Sequence, residues 1–404
     1  MAIPPPPTPE HAVTIRDIAA RCGVSVATVS RALRNPAAQH ADTSARILAV
    51  AQELGYDPDA HHAARRLSLH RHGKAAINNL IALFLPPHYY QAGFFAELFA
   101  GVMAVMTAEG YGLITLDTYN ADNPLANPEW PPCLGRGDVD GMIVYSTPED
   151  FRSQYDRLRV LPSFGDRPIV FLVKEAEAPY SAVILDNPVG ACAAATHLLT
   201  LGHRHLLHLC GRDIFSNELR PQHLMVAGYH QALCAAGLSP ATHLHVAPLD
   251  APLWELAMIP SNLHRLSALG TVRLPESPPL IQRLRAHPEI TAILAPNDPA
   301  ACIIYHLLLQ HGIRVPDDIS LVGFDDTFPL YNAQWDNILT TLRSPLHRIG
   351  ETAAHLVIDQ ITGRRQSPPL QRLAPALVVR ATTAPPAPSG APSPSGRSPG
   401  SGSR

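Results

Sequence analysis

"GVSVATVSRALRN", residues 23–35, opens on a glycine, sets Ser25, Thr28 and Ser30 within two helical turns, and closes on Arg31 and Arg34. Its flanks decide how it folds. Upstream, Thr14 stands where a helix would start, Asp17 follows three residues on, and Ile15, Ile18 and Ala19 recur at helical spacing. Cys22-Gly23-Val24 reads as a turn, and Ser25 as the cap of a second helix that ends near Arg34-Asn35-Pro36. A third helix is expected from about Thr43 to Leu54, with Ile47, Leu48, Val50, Ala51 and Leu54 apolar and Gly55 as its stop. Two short helices about a glycine turn make a helix-turn-helix, whose second helix enters the DNA major groove with its N-terminal residues nearest the bases. There Ser25, Thr28 and Ser30 can donate to phosphate oxygens, and Arg31 can reach a guanine edge. Val26 and Ala27 offer apolar contact to thymine methyls. The competing reading is an amphipathic hairpin with an ordinary polar face.

Charge favours the first reading. Between His11 and Lys74, nine cations against five anions leave +4, while the whole chain carries −3. A basic head on an acidic body suggests that only the head meets a polyanion. At 404 residues the chain is too long for one ordinary core, and 46% hydrophobic content is globular. No run reaches membrane-span length, and "MAIPPPPTPE" has no secretory pattern, so a cytoplasmic protein without membrane contact is expected. Cys22, Cys133, Cys192, Cys210, Cys234 and Cys302 are scattered without a C-x-x-C pair, which reads as reduced, mostly buried thiols.

Residues 1–11 are proline-rich and are expected to be disordered, as is the Pro/Ser/Gly-rich tail 381–404, which has nothing to bury. Residues 12–58 form the head, 59–74 a basic linker or hinge, and 78–380 the body. In the body, "LIALFL", "YGLITLD", "VDGMIVYS", "PIVFLV", "SAVILD", "HLLHLC", "TAILAP" and "ISLVGFD" are short apolar runs. Helical patterns at 92–109, 188–201, 219–236 and 299–311 separate several of them. Apolar strands alternating with helices imply parallel sheets covered on both faces. About 300 residues of such units exceed one sheet, so two open α/β subdomains with a crevice between them are expected. Residues 239–277 show no clear period and carry no assignment.

"TIRDIAARCGVSVATVSRALRNP" and "ARILAVAQELGYDPDA" resemble the head of the lactose/galactose repressor (LacI/GalR) family. The likeness continues through "VDGMIV", "VILDNPVGACAAATHLLTLGHRHLLHLCG", "VPDDISLVGFDD" and "LTTLRSPLHRIGETAAHLVIDQITG", in the family's order. The resemblance implies a helix-turn-helix head before a periplasmic-binding-protein-like body of two doubly wound subdomains. It places Val26, Ala27 and Arg31 at base-reading positions, and Thr14, Ser25, Thr28 and Ser30 at phosphate-contacting ones. Where the family carries an asparagine after the recognition helix, this chain has Arg34 followed by Asn35, either of which could reach the backbone. "HHAARRLS" matches the family's hinge helix at Ala64, Arg65 and Leu67, although the gap from Pro58 is two residues longer than usual. Either the hinge starts later or the leucine wedge is differently placed; Arg65 and Arg66 suit a narrow, negative minor groove in both cases.

Ligands of open α/β sheets bind beyond the carboxyl ends of the strands. Asp117, Asp186, Asn297, Asp298, Asp325 and Asp326 stand at such ends. Asp298 and Asp326 read as cap or turn residues. The resemblance makes Asp186, Asn297 and Asp325 effector-binding, with Phe94 or Phe95 closing the site. It also puts Met225 where many relatives carry an arginine, with Arg212 and Arg220 nearby but out of register, so an acidic, partly apolar crevice suited to a neutral glycoside or a cation is expected. His203, His205 and His208 in "GHRHLLH" read as part of an ordinary strand; no metal, cofactor or catalytic set is expected. The implied function is repression by a homodimer, or a tetramer, on a double-stranded DNA operator under a carbohydrate-like small-molecule effector. A sensor or carrier without DNA binding is the alternative, and an enzyme of the same fold comes third.

Overall fold

The computed structural model describes residues 13–34, 41–56, 77–84, 93–116, 134, 138–145, 167–173, 181–210, 221–258, 279–364 and 370–387. They fall in two units, Met1–Asn78 and Asn79–Arg404. The described part of the first holds helices α1 (Ile15–Cys22), α2 (Val26–Arg34) and α3 (Ala41–Glu53). Thr14 and Asp17 close the capping box that the sequence spacing promises: the Thr14 N–H donates to Asp17 Oδ2 at 2.7 Å. Gly23 takes the left-handed conformation at φ +62°, returning its N–H to α1 and turning the chain towards α2. Ser25 Oγ then accepts the Thr28 N–H at 3.1 Å, capping α2. Ile18, Ala19, Cys22, Val29, Ala32, Ile47 and Ala51 form the small core to which all three helices contribute.

The second unit begins with β1 (Leu80–Phe84), α4 (Gly93–Glu109), β2 (Gly112–Leu116), β3 (Gly141–Val144), β4 (Ile169–Val173), β5 (Ser181–Leu185) and α5 (Asn187–Leu201). It continues with β6 (His205–Cys210), α6 (Pro221–Ala235), α7 (Pro240–His243), β7 (Leu244–Pro248), α8 (Ala251–Met258), α9 (Pro279–Ala286), β8 (Ile290–Leu294) and α10 (Asp298–Gln310). It closes with β9 (Ser320–Asp325), β10 (Thr340–Arg343), α11 (Leu346–Ile361), β11 (Leu370–Leu373) and β12 (Ala376–Val378). The first sheet runs β11-β5-β4-β3-β1-β2 with every neighbouring pair parallel. The second runs β12-β10-β9-β8-β6-β7 and is parallel except for β12 against β10. This is the expected body of two parallel-rich α/β sheets.

The chain passes between the sheets three times: through α5, through α11, and between β11 and β12. One core cluster therefore joins them, with Ile81 and Leu83 of β1 in the same cluster as Leu206 of β6 and Phe324 of β9. Gly101 and Gly350 let α4 and α11 touch backbone to backbone, since a Cβ on Gly101 would collide with the His347 carbonyl and one on Gly350 with that of Leu98. Among the described residues no helix is long and apolar enough to cross a membrane. Cys22, Cys192, Cys210, Cys234 and Cys302 are free thiols, and all but Cys192 and Cys234 are buried.

Two sequence expectations change. The stretch 239–277 contains α7, β7 and α8 in its described part. β7 carries no apolar run because it is an edge strand, partly exposed and holding His245. Residues 381–387, expected to belong to a disordered tail, are ordered. Thr382, 1% exposed, donates to the Leu321 carbonyl at 2.7 Å and accepts the Thr340 N–H at 2.8 Å. His203 Nε2 lies 2.9 Å from the Ala384 carbonyl. Polar residues with sheet partners anchor this segment, which apolar patterning does not reveal.

Candidate functional site

In the head, the apolar side of α2 is used by Val29 and Ala32, which are fully buried. That leaves Ser25, Val26, Ala27 and Arg31 exposed, with Thr28 and Ser30 half-buried at the edges. Val26 is 39% exposed, and a β-branched apolar residue on an open helix N-terminus suits contact with a partner rather than a core. Arg31 folds back along its own helix, its Nε 3.4 Å from the Ala27 carbonyl. The Ser25 and Thr28 hydroxyls lie 2.8 Å apart beside the N-terminus of α2, where the helix dipole favours an anion. Thr14 sits at the corresponding end of α1. One head residue passed over in the sequence is Arg46, which donates to the Cys22 carbonyl at 3.2 Å and ties α3 to the end of α1. The Arg34 side chain, Asn35, Arg65 and Leu67 lie outside the described residues.

In the body, the carboxyl ends of β8, β9 and β10 converge on three aspartates. Asp298 is completely buried, accepting from Thr341 Oγ1 at 2.6 Å and from the Thr327 and Phe328 N–H groups at 2.8 and 3.4 Å. Gly323 makes room for it, because a Cβ there would strike Asp298 Oδ1. Asp298 is thus a buried anchor for the loop after β9 rather than the cap of α10. Asn297 is the cap, its Oδ1 accepting the Ala300 N–H at 2.9 Å. Asp325 and Asp326 both hold positive φ, 101° and 56°, a strained pair for non-glycine residues at a strand end. Asp326 bridges Arg343 at 2.7 Å and Arg380 at 2.9 Å, more than a turn requires.

Asp325 keeps some surface, but protein surrounds its carboxyl, and burial raises its pKa to about 7 against a lowering hydrogen bond from Ser344 Oγ at 2.9 Å. Burial likewise holds Asp298 well above the usual carboxylate range, with the neighbouring Asp325 pushing the same way. Asp325, Asp326, Gly93, Glu97, Arg343 and Arg348 contribute to the lining of a cavity of about 630 Å³. Two arginines there face three carboxyls, so its charge is mixed instead of acidic.

The other expected effector residues are more scattered. Asp186 caps α5, accepting the Val189 N–H at 3.4 Å. Phe95, 9% exposed, packs edge-on against Tyr145 at 4.9 Å within the core, while Phe94 is half-buried beside it. Met225, 4% exposed, is a core residue and offers the crevice no donor. Asp117, Arg212, Arg220 and the segments that follow β1, β2, β3, β4 and β6 lie outside the described residues. The three histidines of "GHRHLLH" part company. His203 bridges Thr291, Ser320 and Ala384, His208 is buried against Tyr229, and His205 begins β6.

Residues 14–59 match the family model of bacterial regulatory proteins, lacI family, and residues 195–383 match that of the periplasmic binding protein-like domain. The chain is 28% identical over 373 residues to the HTH-type transcriptional regulator DegA of Bacillus subtilis, covering 92% of this chain and 98% of the relative. To the HTH-type transcriptional repressor PurR of Photobacterium profundum it is 27% identical over 370 residues, with 91% and 97% covered. A solved structure of the lac repressor dimer bound to operator and the anti-inducer ONPF shares the fold, with a TM-score of 0.57, 22% identity, and 92% and 99% covered.

Proposed function

We propose that this chain, a DNA-binding transcriptional regulator of the lacI family of bacterial regulatory proteins, represses transcription in the cytoplasm as a homodimer on a roughly palindromic operator and answers to a carbohydrate-like effector in the body. The observation that carries this reading is the exposed face of α2. Val26, Ala27 and Arg31 face outward from α2, while Val29 and Ala32 of the same helix are buried in the head's core. Val26 and Ala27 read thymine methyls, Arg31 a guanine, and Thr14, Ser25, Thr28 and Ser30 hold phosphates. Arg34 or Asn35 adds a backbone contact, and Arg65 and Leu67 act in the minor groove. One head makes too few contacts for specific affinity, which is the reason for two. The dimer, operator and small molecule named for the structural neighbour agree with this arrangement.

We read the effector as neutral and hydroxyl-rich. Asp325, with Asp186 and Asn297, would accept and donate to vicinal hydroxyls, and Phe94 or Phe95 would close the site over an apolar face. Met225 removes a fork of donors that an acidic ligand would need.

Binding to a selected palindromic site, followed by gel retardation and calorimetry, tests both halves. Arg31→Ala should cost about 1–3 kcal/mol per half-site and relax base preference at one position in each, with folding intact. Unchanged affinity and preference in that variant would remove α2 from recognition. Effector binding without any DNA retention at moderate salt would instead support the sensor reading. Tight binding of a sugar phosphate in preference to the neutral sugar would overturn the effector class.

A further inference from the structure

The second sheet has a histidine-rich end that the crevice does not use. His205 is the first residue of β6, His245 the second of β7, and Glu289 immediately precedes β8, so all three meet at the amino ends of the strands. One donor atom from each lies within 4.8 Å of the others. His205 Nδ1 and His245 Nε2 are buried and have no hydrogen-bond partner, an uncommon and unfavourable state for two neighbouring imidazoles. His287 contacts the His245 ring at 5.2 Å, and its Nδ1 lies 3.0 Å from Glu289 Oε1, which fixes the carboxylate from behind. His243 stacks on His205 at 4.9 Å with the rings 29° apart. The β6–β8 register slips between His205 and Leu206, a local irregularity of the kind that re-aims a side chain beside a site.

We propose that His205, His245 and Glu289 bind a divalent transition-metal ion, zinc fitting them best, at the end of the sheet opposite the crevice. Two imidazoles and one carboxylate form a three-ligand set that leaves one tetrahedral position for solvent. Ligands on such a zinc lie about 3.4 Å apart, with bonds of about 2.0–2.1 Å, against a present spacing of up to 4.8 Å. Coordination through His205 Nδ1 and His245 Nε2 would satisfy both orphaned nitrogens. His287 orients Glu289 as a second-layer partner. The ion cross-links edge strand β7 to β6 and β8, where among the described residues no other strand covers it.

Full-length protein stripped with EDTA is titrated with Co²⁺ and Zn²⁺. One tight equivalent of Co²⁺ should give the visible bands of a four-coordinate nitrogen–oxygen site, displaced by Zn²⁺, and Zn²⁺ should raise the thermal midpoint. His205→Ala with His245→Ala should abolish that equivalent, His287→Ala should weaken it 10–100-fold, and His230→Ala, on the exposed side of α6, should leave it unchanged. Glu289 is exposed, so Glu289→Gln folds whatever the double variant does, and it should weaken the site and shift the bands. No Co²⁺ spectrum in the wild type, or one that survives both Glu289→Gln and the double substitution, overturns the proposal.

Discussion

The carboxyl ends of the second sheet bury aspartates, and its other end and middle bury histidines. Burial favours the neutral form in both places, so Asp325 is pushed up to about 7 and His208 down to about 4. The partners differ. A carboxyl group is satisfied by any nearby hydroxyl or N–H, and Thr341, Thr327 and Ser344 supply them. An imidazole needs partners on opposite sides of its ring, and His205, His208 and His245 each have one nitrogen left over. At the first end the protein itself satisfies the buried carboxyls, although a cavity opens beside them; the second is built around atoms that still lack a partner.

The sharpest break with this picture would come at Asp298. Asp298→Ala strands a buried hydroxyl and two N–H groups, and should cost about 3 kcal/mol in denaturant unfolding. Asp298→Asn should cost much less. A small loss for the alanine variant would mean that the carboxylate end is no better satisfied than the histidine end.

The pH dependence separates the two ends next. Asp325 holds its proton more tightly in the folded protein than in the unfolded chain, so its contribution is full below the ordinary carboxylate range and is lost as pH rises to about 7. His208 does the reverse. Its imidazole stays neutral when folded, so its contribution is present above about 6.5 and is lost as pH falls towards about 4. Thermal midpoints from pH 4 to 7 should therefore climb more steeply with pH in Asp325→Asn than in the wild type. In His208→Leu they should climb less or fall. Parallel profiles for all three proteins would show that neither group is buried as described.

The smallest expected effect lies at Glu289. Without metal, Glu289→Gln should melt within error of the wild type, because its pair with His287 is exposed. With Zn²⁺ present the two should separate. A large difference in EDTA would make the pair structural and leave the metal unnecessary.

Much of the fold is legible from local pattern. The capping box at Thr14, the left-handed Gly23 and the cap at Ser25 are short-range chemistry, and the structure reproduces each. The eight apolar runs became eight strands; seven are interior strands, which a covered parallel sheet buries on both faces, and β2 is an apolar edge strand. β7, β10, β11 and β12 escaped for the converse reason. β7 is an edge, β11 and β12 are short, and β10 buries Thr340 and Thr341, which read as polar until Asp298 and Thr382 are placed opposite them.

The candidate sites divide along the same line. The exposed face of α2 follows from sequence because a helix of known cap and register exposes a fixed set of residues. The crevice does not. Asp325 can be named from the end of "ISLVGFD", but nothing local distinguishes it from Asp298 or Asp326, whose roles depend on Thr341, Arg343 and Arg380 arriving from 17 to 54 residues away. His205, His245 and Glu289 are 40 to 84 residues apart, at the amino ends of three strands that become neighbours only when the sheet forms. Sequence alone determined the head and the strand-helix alternation, because those rest on contacts within a few residues. Tertiary structure decided which buried polar atoms find partners, because in a parallel sheet adjacent strands come from distant parts of the chain.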